Sequence, residues 1–266
     1  MRLLSIASGS SGNSIYIGSD NTHILVDAGI SNKKIEEGLN SAQISGRDIS
    51  GICITHEHSD HIKGLGVLAR KYEIPIYATK DTIYAIKQDM TLGSYPFSLF
   101  REIEKDNPFT IGDISILPFH IYHDALDPVG YRFECNGHTA AVATDMGHYD
   151  EYIVNNLSNV ENLLLEANHD VRMLETGSYP YYLKRRILSD NGHLSNENCG
   201  RLISKILHDN IAHIFLGHLS KENNYPDLAF EAVRCEILQS DSKYNPDDFF
   251  IDVASRDKPS MIIELN

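Results

Sequence analysis

The stretch Thr55-His56-Glu57-His58-Ser59-Asp60-His61 decides the fold of this chain. It follows an apolar run at residues 52–55, which has the length of a strand, and precedes residues 62–72, whose apolar positions recur at helical spacing. The pattern therefore places three imidazoles and the Asp60 carboxylate in a strand-to-helix loop. A solvated polar loop is the alternative interpretation, but it explains ligand-type side chains at this density poorly.

Such a loop presents metal ligands in two directions. His56 and His58 can point to one side, while Asp60 and His61 turn toward an adjacent point. The loop then supplies ligands for two metal ions a few ångströms apart. Imidazole with carboxylate suits Zn, Mn or Fe, and the ligand types alone do not choose among these metals.

A dinuclear site needs further ligands, and three later apolar runs end in candidates. His123 follows ISILPFHIY, Asp145 closes AAVATD and His218 closes IFLGH. His120 is a rival to His123, although it lies inside the preceding predicted strand. Asp27, at the end of LVDAG, is expected to orient a ligating histidine rather than to bind metal.

Strand-length apolar runs and helical patterns are interspersed along the chain, which indicates an α/β layered domain. The predicted strands cover residues 3–7, 14–18, 23–27, 52–55, 75–78, 114–119, 131–135, 139–144, 162–166, 211–216, 249–254 and 260–265. The predicted helices cover residues 33–39, 62–72, 81–88, 195–208 and 228–238. Residues 90–110 have weak periodicity and are predicted to be loop. Since no linker or repeat is visible, residues 1–266 are predicted to form a single domain.

The composition describes an acidic globular protein with 23 Lys+Arg, 37 Asp+Glu and a formal net charge of −14. Its 42% apolar content excludes wholesale disorder. No apolar run approaches the roughly 20 residues that span a bilayer, and the opening MRLLSIASGSSGNS lacks the apolar stretch of a secretory signal. The cysteines form no CxxC pair, so reduced thiols and a cytoplasmic location are predicted. The negative charge means that a nucleic-acid substrate would need a local basic patch.

The ligand pattern resembles that of the metallo-β-lactamase-fold hydrolases over nearly the whole chain, through Asp27, the HxHxDH motif at 56–61, and the three later ligands in the same order. The resemblance implies an α/β fold, the αββα four-layer sandwich. By this resemblance, one metal ion would be held by His56, His58 and His123. The second would be held by Asp60, His61 and His218, with Asp145 bridging the two ions.

Five segments narrow the resemblance to the WalJ (YycJ) family of bacterial proteins. They are SIASGSSGNS at 5–14, ITHEHSDHIKGLGVLARKY at 54–72, LLEANHD at 164–170, GHLSNEN at 192–198 and LGHLSKENN at 216–224. This family implies a DNA-directed nuclease with 5′→3′ exonuclease action. It also implies a functional link to a two-component system that regulates the cell wall.

GHLSN at 192–196 resembles the extra histidine motif of the phosphodiesterases of this fold, such as the tRNA 3′-processing enzymes. There a histidine partnered by a glutamate helps to protonate the leaving oxygen, and the resemblance gives these parts to His193 and Glu166. Asp60 is predicted to be catalytic as well as metal-ligating. A hydrogen-bonding loop histidine is the competing interpretation of His193.

Substrate contacts are predicted from three features. The triplet Lys184-Arg185-Arg186 can hold a backbone phosphate, although a solvated helix face is an equal alternative. The loop at residues 8–13 offers backbone donors with Ser11 and Asn13, although a plain tight turn is as good an interpretation. His169 follows a predicted strand and is expected to touch substrate or the groups around the metals.

These observations predict a dinuclear metal-dependent phosphodiesterase, a cytoplasmic 5′→3′ exodeoxyribonuclease acting through a metal-activated hydroxide. RNA processing and hydrolysis of a small thioester or lactone are the alternative activities. A metal-stabilised scaffold without catalysis is a fourth hypothesis, which the complete set of expected ligands disfavours.

Overall fold

The computed structural model of the chain describes residues 1–265. Within them the strands are β1 (Arg2–Ala7), β2 (Ser14–Gly18), β3 (His23–Val26), β4 (Ile49–Cys53), β5 (Ile76–Thr79), β6 (Phe100–Ile103), β7 (Phe109–Ile111), β8 (Ile114–His120), β9 (Val129–Cys135), β10 (His138–Ala143), β11 (Asn162–Glu166), β12 (His213–Gly217), β13 (Phe250–Val253) and β14 (Ile263–Glu264). The helices are α1 (Asn32–Ser41), α2 (Ser59–Ile62), α3 (Leu65–Tyr72), α4 (Lys80–Gln88), α5 (Glu151–Leu157), α6 (Val171–Thr176), α7 (Tyr181–Ile187), α8 (Asn196–Ile206) and α9 (Pro226–Gln239).

The strands form two mixed sheets. The first has the order β14-β1-β2-β3-β4-β5-β6 and the second the order β13-β12-β11-β10-β9-β8-β7. The chain divides into two compact units, the first made of Met1–His120, Ala125–Ala140 and Ser255–Asn266, and the second of Ile121–Asp124 and Ala141–Ala254. The single-domain organisation of residues 1–266 stays a prediction.

The first unit contains the whole first sheet. Strands β1, β2 and β3 pair antiparallel, and β3 to β6 pair parallel. Helix α1 begins at Ser31, whose side chain accepts a hydrogen bond from the Lys34 amide, and buries Ile35 and Leu39. These side chains join an apolar cluster with Leu25 of β3. The parallel order brings the carboxyl ends of β3 and β4 to one edge of the sheet.

The second unit contains the parallel strands β11, β12 and β13. Their register aligns Glu166 at the end of β11 with Gly217 at the end of β12. Helix α8 begins at Ser195, whose hydroxyl accepts from the Asn198 amide at 3.2 Å, and it packs on α9 where Gly200 meets Val233. The predicted helix over 195–208 is therefore confirmed, and its cap is the predicted one.

The prediction of loop over residues 90–110 is wrong for part of this range. Two short 3₁₀ helices at 90–92 and 97–99 precede β6, which pairs parallel with β5, and β7 begins at Phe109. Strand β6 lies at the edge of its sheet and buries only Ile103, so it has no alternating apolar face for a sequence pattern to reveal. Helices α5, α6 and α7 were also not predicted, and each is no longer than seven residues.

Two further properties follow from the described residues. Cys53, Cys135 and Cys199 are buried thiols and Cys235 is an exposed one. Among residues 1–265, no helix combines the length and the apolar character needed to cross a membrane.

Candidate active site

Backbone hydrogen bonds hold the HxHxDH loop at the edge of the first sheet. The Ala28 amide donates to the His61 carbonyl and the Asn13 amide donates to the Asp60 carbonyl, both at 2.8 Å. Gly29 allows this close approach, because a Cβ atom at that position would lie 1.6 Å from the Asp60 carbonyl oxygen. Segments after β1, β3 and β4 thus meet in one junction that carries the predicted ligands of the first unit.

Asp27 and Thr55 orient two of these histidines. Asp27 accepts hydrogen bonds from the Thr55 amide at 2.8 Å and the Thr55 hydroxyl at 2.9 Å, and its Oδ2 lies 2.7 Å from His61 Nδ1. His56 Nδ1 lies 3.0 Å from the Thr55 hydroxyl. Burial raises the pKa of Asp27, although His61 and Thr55 act in the opposite direction. With both Nδ1 atoms engaged, Nε2 is the atom of each ring that could bind a metal, and in His61 this atom also lies 3.1 Å from the side-chain nitrogen of Asn13.

The side chains of the loop form a compact donor set. The His56 ring lies 4.7 Å from the His58 ring and 4.1 Å from the His61 ring, between centroids. The Asp60 carboxylate lies 3.6 Å from His61 Nε2. The first unit therefore brings together all four ligands that were predicted from it. Imidazole and carboxylate donors at this density fit a divalent metal ion.

The second unit brings together His123, Asp145 and His218. His218 Nδ1 lies 3.0 Å from Asp145 Oδ2, and His123 Nε2 lies 3.7 Å from Asp145 Oδ1. Asp145 and His218 follow β10 and β12 in the left-handed backbone region, with φ of 64° and 54°. Residues other than glycine adopt this region rarely and often at functional sites. Asp27 has the same conformation, with φ of 62°.

Glu166 holds four groups around this cluster. Its Oε1 lies 2.8 Å from His193 Nδ1 and 3.2 Å from His218 Nδ1. Its Oε2 accepts from the backbone amides of Met146 at 2.7 Å and Leu194 at 3.1 Å. Burial alone would raise the pKa of Glu166, but attraction to His193 and the hydrogen bonds from His193 and His218 lower it to about 2. A carboxylate held ionised in this way fixes the Nδ1 proton of His193 and leaves Nε2 of that ring for chemistry.

The second unit also contains a group of four side chains whose ligand atoms lie within 4.8 Å of one another. Its members are Asp145, Glu166, His193 and His218. Asp145 and His218 were predicted as metal ligands, and Glu166 and His193 as a catalytic pair. The predicted pair therefore lies directly beside two of the predicted ligands.

His120 and His123 differ in their surroundings. His120 is the last residue of β8. His123 is buried, its Nδ1 lies 3.0 Å from the Gly192 carbonyl, and its Nε2 faces Asp145. His123 therefore lies beside Asp145 within the second unit, and its choice over His120 as a ligand stays a prediction.

The predicted substrate residues have varied environments. Ser11 is exposed in the turn after β1, whereas Asn13 is fully buried, and its amide nitrogen lies 3.1 Å from His61 Nε2. The Asn13 carbonyl oxygen also accepts from the Gly9 amide at 2.9 Å, so this side chain closes the loop at 8–13. His169 is buried and forms an isolated bridge with Ser195. Asn13 thus contacts a predicted ligand directly, and His169 lies beside Ser195, the N-cap residue of α8.

The basic triplet lies on α7 and two of its members bond within the protein. The Lys184 ammonium donates to the carbonyls of Glu175 at 2.8 Å and Gly177 at 2.7 Å. Arg186 pairs with Asp124, the neighbour of His123. Arg185 is exposed, and its guanidinium lies 6.0 Å from the centre of the Tyr181 ring.

Sequence reasoning missed Glu57 and a set of asparagines. Glu57 accepts from the Leu126 amide at 2.8 Å and so fixes the tip of the loop before β9. Asn224 donates to the Ala167 carbonyl at 2.9 Å and to the Asn196 side chain at 2.8 Å, while Asn168 donates to the His218 carbonyl at 2.8 Å. GHLSNEN contains Asn196 and LGHLSKENN contains Asn224, whereas Asn168 lies in LLEANHD. The His-Leu-Ser that the first two segments share, with asparagine after it, was the available signal.

Comparisons with known proteins agree with this picture. The model of the Beta-lactamase superfamily domain matches residues 22–214. The chain is 42% identical to Exodeoxyribonuclease YycJ of Bacillus anthracis over 224 residues, which cover 84% of each chain. It is 43% identical to Exodeoxyribonuclease WalJ of Streptococcus pneumoniae serotype 2 over 236 residues, which cover 89% of this chain and 88% of that one.

A solved structure supports the fold. The crystal structure of Zn²⁺-bound PqqB from Methylobacterium extorquens aligns with a TM-score of 0.72 at 15% identity and covers 100% of both chains. The predicted class, an α/β sandwich of the metallo-β-lactamase fold, is confirmed by this likeness and by the two mixed sheets flanked by helices.

Proposed function

Because the chain belongs to the beta-lactamase superfamily, and within it to the family of the exodeoxyribonucleases YycJ and WalJ, we propose that it is a metal-dependent exodeoxyribonuclease. The observation that carries this proposal is the buried Glu166 paired with His193 beside Asp145 and His218. A thioester or lactone hydrolase does not need a histidine held in this way next to its ligands. Shortening of DNA in the 5′→3′ direction is part of the proposal.

The metal ligands in this proposal are the residues predicted from the sequence. They are His56, His58, Asp60 and His61 in the first unit, and His123, Asp145 and His218 in the second. Two buried carboxylates support the proposal. Asp27 fixes Nδ1 of the predicted ligand His61, and Glu166 fixes Nδ1 of His193, which lies beside the predicted ligands Asp145 and His218. Two divalent ions, of Zn, Mn or Fe, are proposed.

The chemistry that two such ions supply when bound is a water acidic enough to attack at neutral pH and a counter-charge for the phosphate oxygens. The Nδ1–H of His193 donates a hydrogen bond to Glu166 and keeps its proton, and the Nε2–H of the same ring passes a proton to the leaving oxygen of the nucleotide. Glu166 keeps its charge and stabilises the imidazolium before transfer. Asp60 is proposed to orient the attacking water as well as to bind metal.

Substrate contacts are proposed at Ser11, Asn13, His169 and the triplet Lys184–Arg186. Arg185 is exposed and can meet a phosphate without breaking a bond within the protein. Ser11 lies at the exposed end of a loop whose other end, Asn13, touches His61. The cytoplasmic location and the link to a cell-wall two-component system stay predictions.

The first experiment is cleavage of end-labelled double-stranded DNA, single-stranded DNA and RNA with Mn, Zn or no added metal. We expect metal-dependent shortening of DNA that is lost in His58→Ala and retained in His208→Ala, a control histidine that bonds the Val160 carbonyl. The position of the label reports the direction. Cleavage of no strand by a protein shown to carry metal would contradict the proposal and favour hydrolysis of a small ester.

A second experiment tests the role of His193. His193→Gln should lower kcat on DNA by a factor of about 10² to 10⁴, the usual contribution of a general acid. The p-nitrophenyl ester of thymidine 5′-phosphate has a leaving group that needs no proton, and its hydrolysis should change by less than about tenfold. Equal losses on both substrates would assign His193 to metal binding instead.

A further inference from the structure

Helix α7 presents two tyrosine rings to solvent at adjacent positions. Tyr181 is 75% exposed and Tyr182 is 74% exposed. Single exposed aromatic side chains are ordinary on protein surfaces. Arg185 follows Tyr181 by four residues and lies on the same side of the helix, whereas the Tyr182 side chain projects from the adjacent side, about 100° further around the axis. Together the three side chains form an exposed aromatic and cationic surface. We refer to Tyr181, Tyr182 and Arg185 as the α7 face.

The position of the α7 face is fixed by the other two cations of the triplet. Lys184 bonds two carbonyls of the preceding segment, at Glu175 and Gly177. Arg186 bonds Asp124 with two nitrogens. Because both cations are engaged within the protein, they anchor the helix that carries the two tyrosines.

The end of α7 is tied to the proposed general acid. The His193 amide donates to the Ile187 carbonyl at 3.0 Å, and the Gly192 amide donates to the Ser189 carbonyl at 2.8 Å. The Gly192 carbonyl in turn lies 3.0 Å from His123 Nδ1. Five residues therefore separate Ile187, the last residue of α7, from His193, whose side chain pairs with Glu166, so the helix that carries the α7 face is joined to that pair by a short, hydrogen-bonded segment.

We propose that the α7 face binds a single strand of DNA, with bases stacked on Tyr181 and Tyr182 and a backbone phosphate on Arg185. The inference rests on the proposed nuclease function and identifies where that enzyme holds its strand. A chain of net charge −14 repels DNA at long range, so stacking on rings is the contribution to affinity that this charge does not oppose. Stacking also accepts any base, which suits an enzyme that removes nucleotides in succession.

The activity test compares a long and a short substrate. Tyr181→Ala with Tyr182→Ala should lower kcat/KM on a labelled single strand about 10- to 100-fold, since base stacking on one ring contributes roughly tenfold or more. Tyr181→Phe with Tyr182→Phe should keep it within about twofold because the rings remain. Hydrolysis of the p-nitrophenyl ester of thymidine 5′-phosphate, which does not reach along the helix, should be unchanged in both double variants.

Tyr84 on α4 supplies the control, since it is 64% exposed and lies on another helix. Tyr84→Ala should cleave the single strand as the parent protein does. Equal cleavage by the parent and by the double alanine variant would overturn the α7 face as a strand-binding surface while leaving the nuclease function intact.

A binding test separates the two proposals. The chain has no Trp, so Tyr182→Trp introduces a single fluorescent reporter. With divalent metal retained and phosphorothioate-linked oligothymidylate, which resists cleavage, as the probe, this fluorescence should be quenched in a saturable manner, whereas Tyr84→Trp should show no quenching. Quenching in a protein that never cleaves DNA would uphold the α7 face and contradict the nuclease. Absence of quenching in a protein that does cleave would overturn the α7 face.

Discussion

Single buried residues decide the chemistry of the candidate site. Asp27 bonds His61 and Thr55, and Glu166 bonds His193 and the backbone after Asp145. Neither carboxylate is free to turn, because every one of its oxygens is already engaged. The predicted ligands and the proposed acid are therefore pre-oriented by two residues that the reaction itself does not consume.

Asp27→Asn tests this orientation in the first unit. An amide at this position cannot accept from His61 Nδ1 and the Thr55 hydroxyl with the strength of a carboxylate, so the imidazole loses its fixed tautomer. We expect metal affinity to fall about 10- to 100-fold. Competition with a chromophoric chelator measures the affinity, and circular dichroism confirms folding. Asp241→Asn, at an exposed position, is the control, and equal affinities in the two variants would contradict the assigned role of Asp27.

The pH dependence of stability tests His169. Burial lowers the pKa of His169 from 6.5 to about 4. Below pH 6.5 the imidazole of His169 is protonated in the unfolded chain, whereas in the folded chain it stays neutral down to about pH 4. The free energy of unfolding therefore falls as the pH falls from 6.5 to about 4. The loss attributable to His169 amounts to about 3 kcal/mol.

Urea unfolding of the metal-free protein at several pH values measures this loss. The pH slope between 6.5 and about 4 should be shallower in His169→Asn than in the parent protein. His208→Asn, at a partly exposed position, should keep the parent slope. An unchanged slope in the His169 variant would show that its ring is protonated in the folded state.

At the scale of elements, the asparagine network joins the pieces that carry the second cluster. Asn168 follows β11, Asn196 begins α8 and Asn224 precedes α9. Their side chains bond one another and the backbone, and through Asn168 they hold the carbonyl of His218. Side-chain hydrogen bonds thus help to shape the loop after β12, beside the buried Leu219.

Asn224→Ala should therefore lower the stability of the folded protein. It leaves the buried Asn196 side chain and the Ala167 carbonyl without their partner, at about 1–3 kcal/mol for each lost hydrogen bond. We expect the free energy of unfolding to fall by about 2–4 kcal/mol and metal affinity to fall with it. Asn40→Ala, at an exposed position on α1, should change stability by less than about 0.5 kcal/mol. Urea titration of both variants measures their free energies of unfolding. Equal unfolding midpoints would contradict a stabilising role of the asparagine network.

The same elements show what the sequence could reveal. Strand β11 and helix α8 were predicted within two residues, because a continuous apolar run and a capped apolar stripe are local patterns. Edge strand β6 and short helix α7 were not predicted, because each buries a single residue and so shows no periodic pattern of apolar residues. The predicted metal ligands come from a dense local motif and from residues that close apolar runs, whereas Glu57 and Asn224 act through contacts that form only after folding.

At the scale of the whole molecule, the negative net charge of the protein opposes the binding of DNA. The chain carries a net charge of −14, yet the proposed substrate is a polyanion. Within the described residues, Lys184 and Arg186 already bond protein groups, so Arg185 is the member of the triplet that can meet a phosphate without such a loss. Few counterions should be released when a strand binds, and affinity must come from metal ions and stacking instead.

The salt dependence of DNA binding follows from this balance. Each phosphate neutralised on a single strand contributes about −0.7 to the slope of log affinity against log salt, so we expect a shallow slope of about −1 to −2 at fixed Mn²⁺. Fluorescence anisotropy with a labelled strand, at salt concentrations from about 50 to 200 mM, measures it. Arg185→Gln should make the slope shallower by about 0.7, while Arg47→Gln, at an exposed position in the first unit, should leave it unchanged. A slope steeper than about −4 would mean that many cations contact the backbone, and the strand would then be held by charge rather than by the tyrosines of α7.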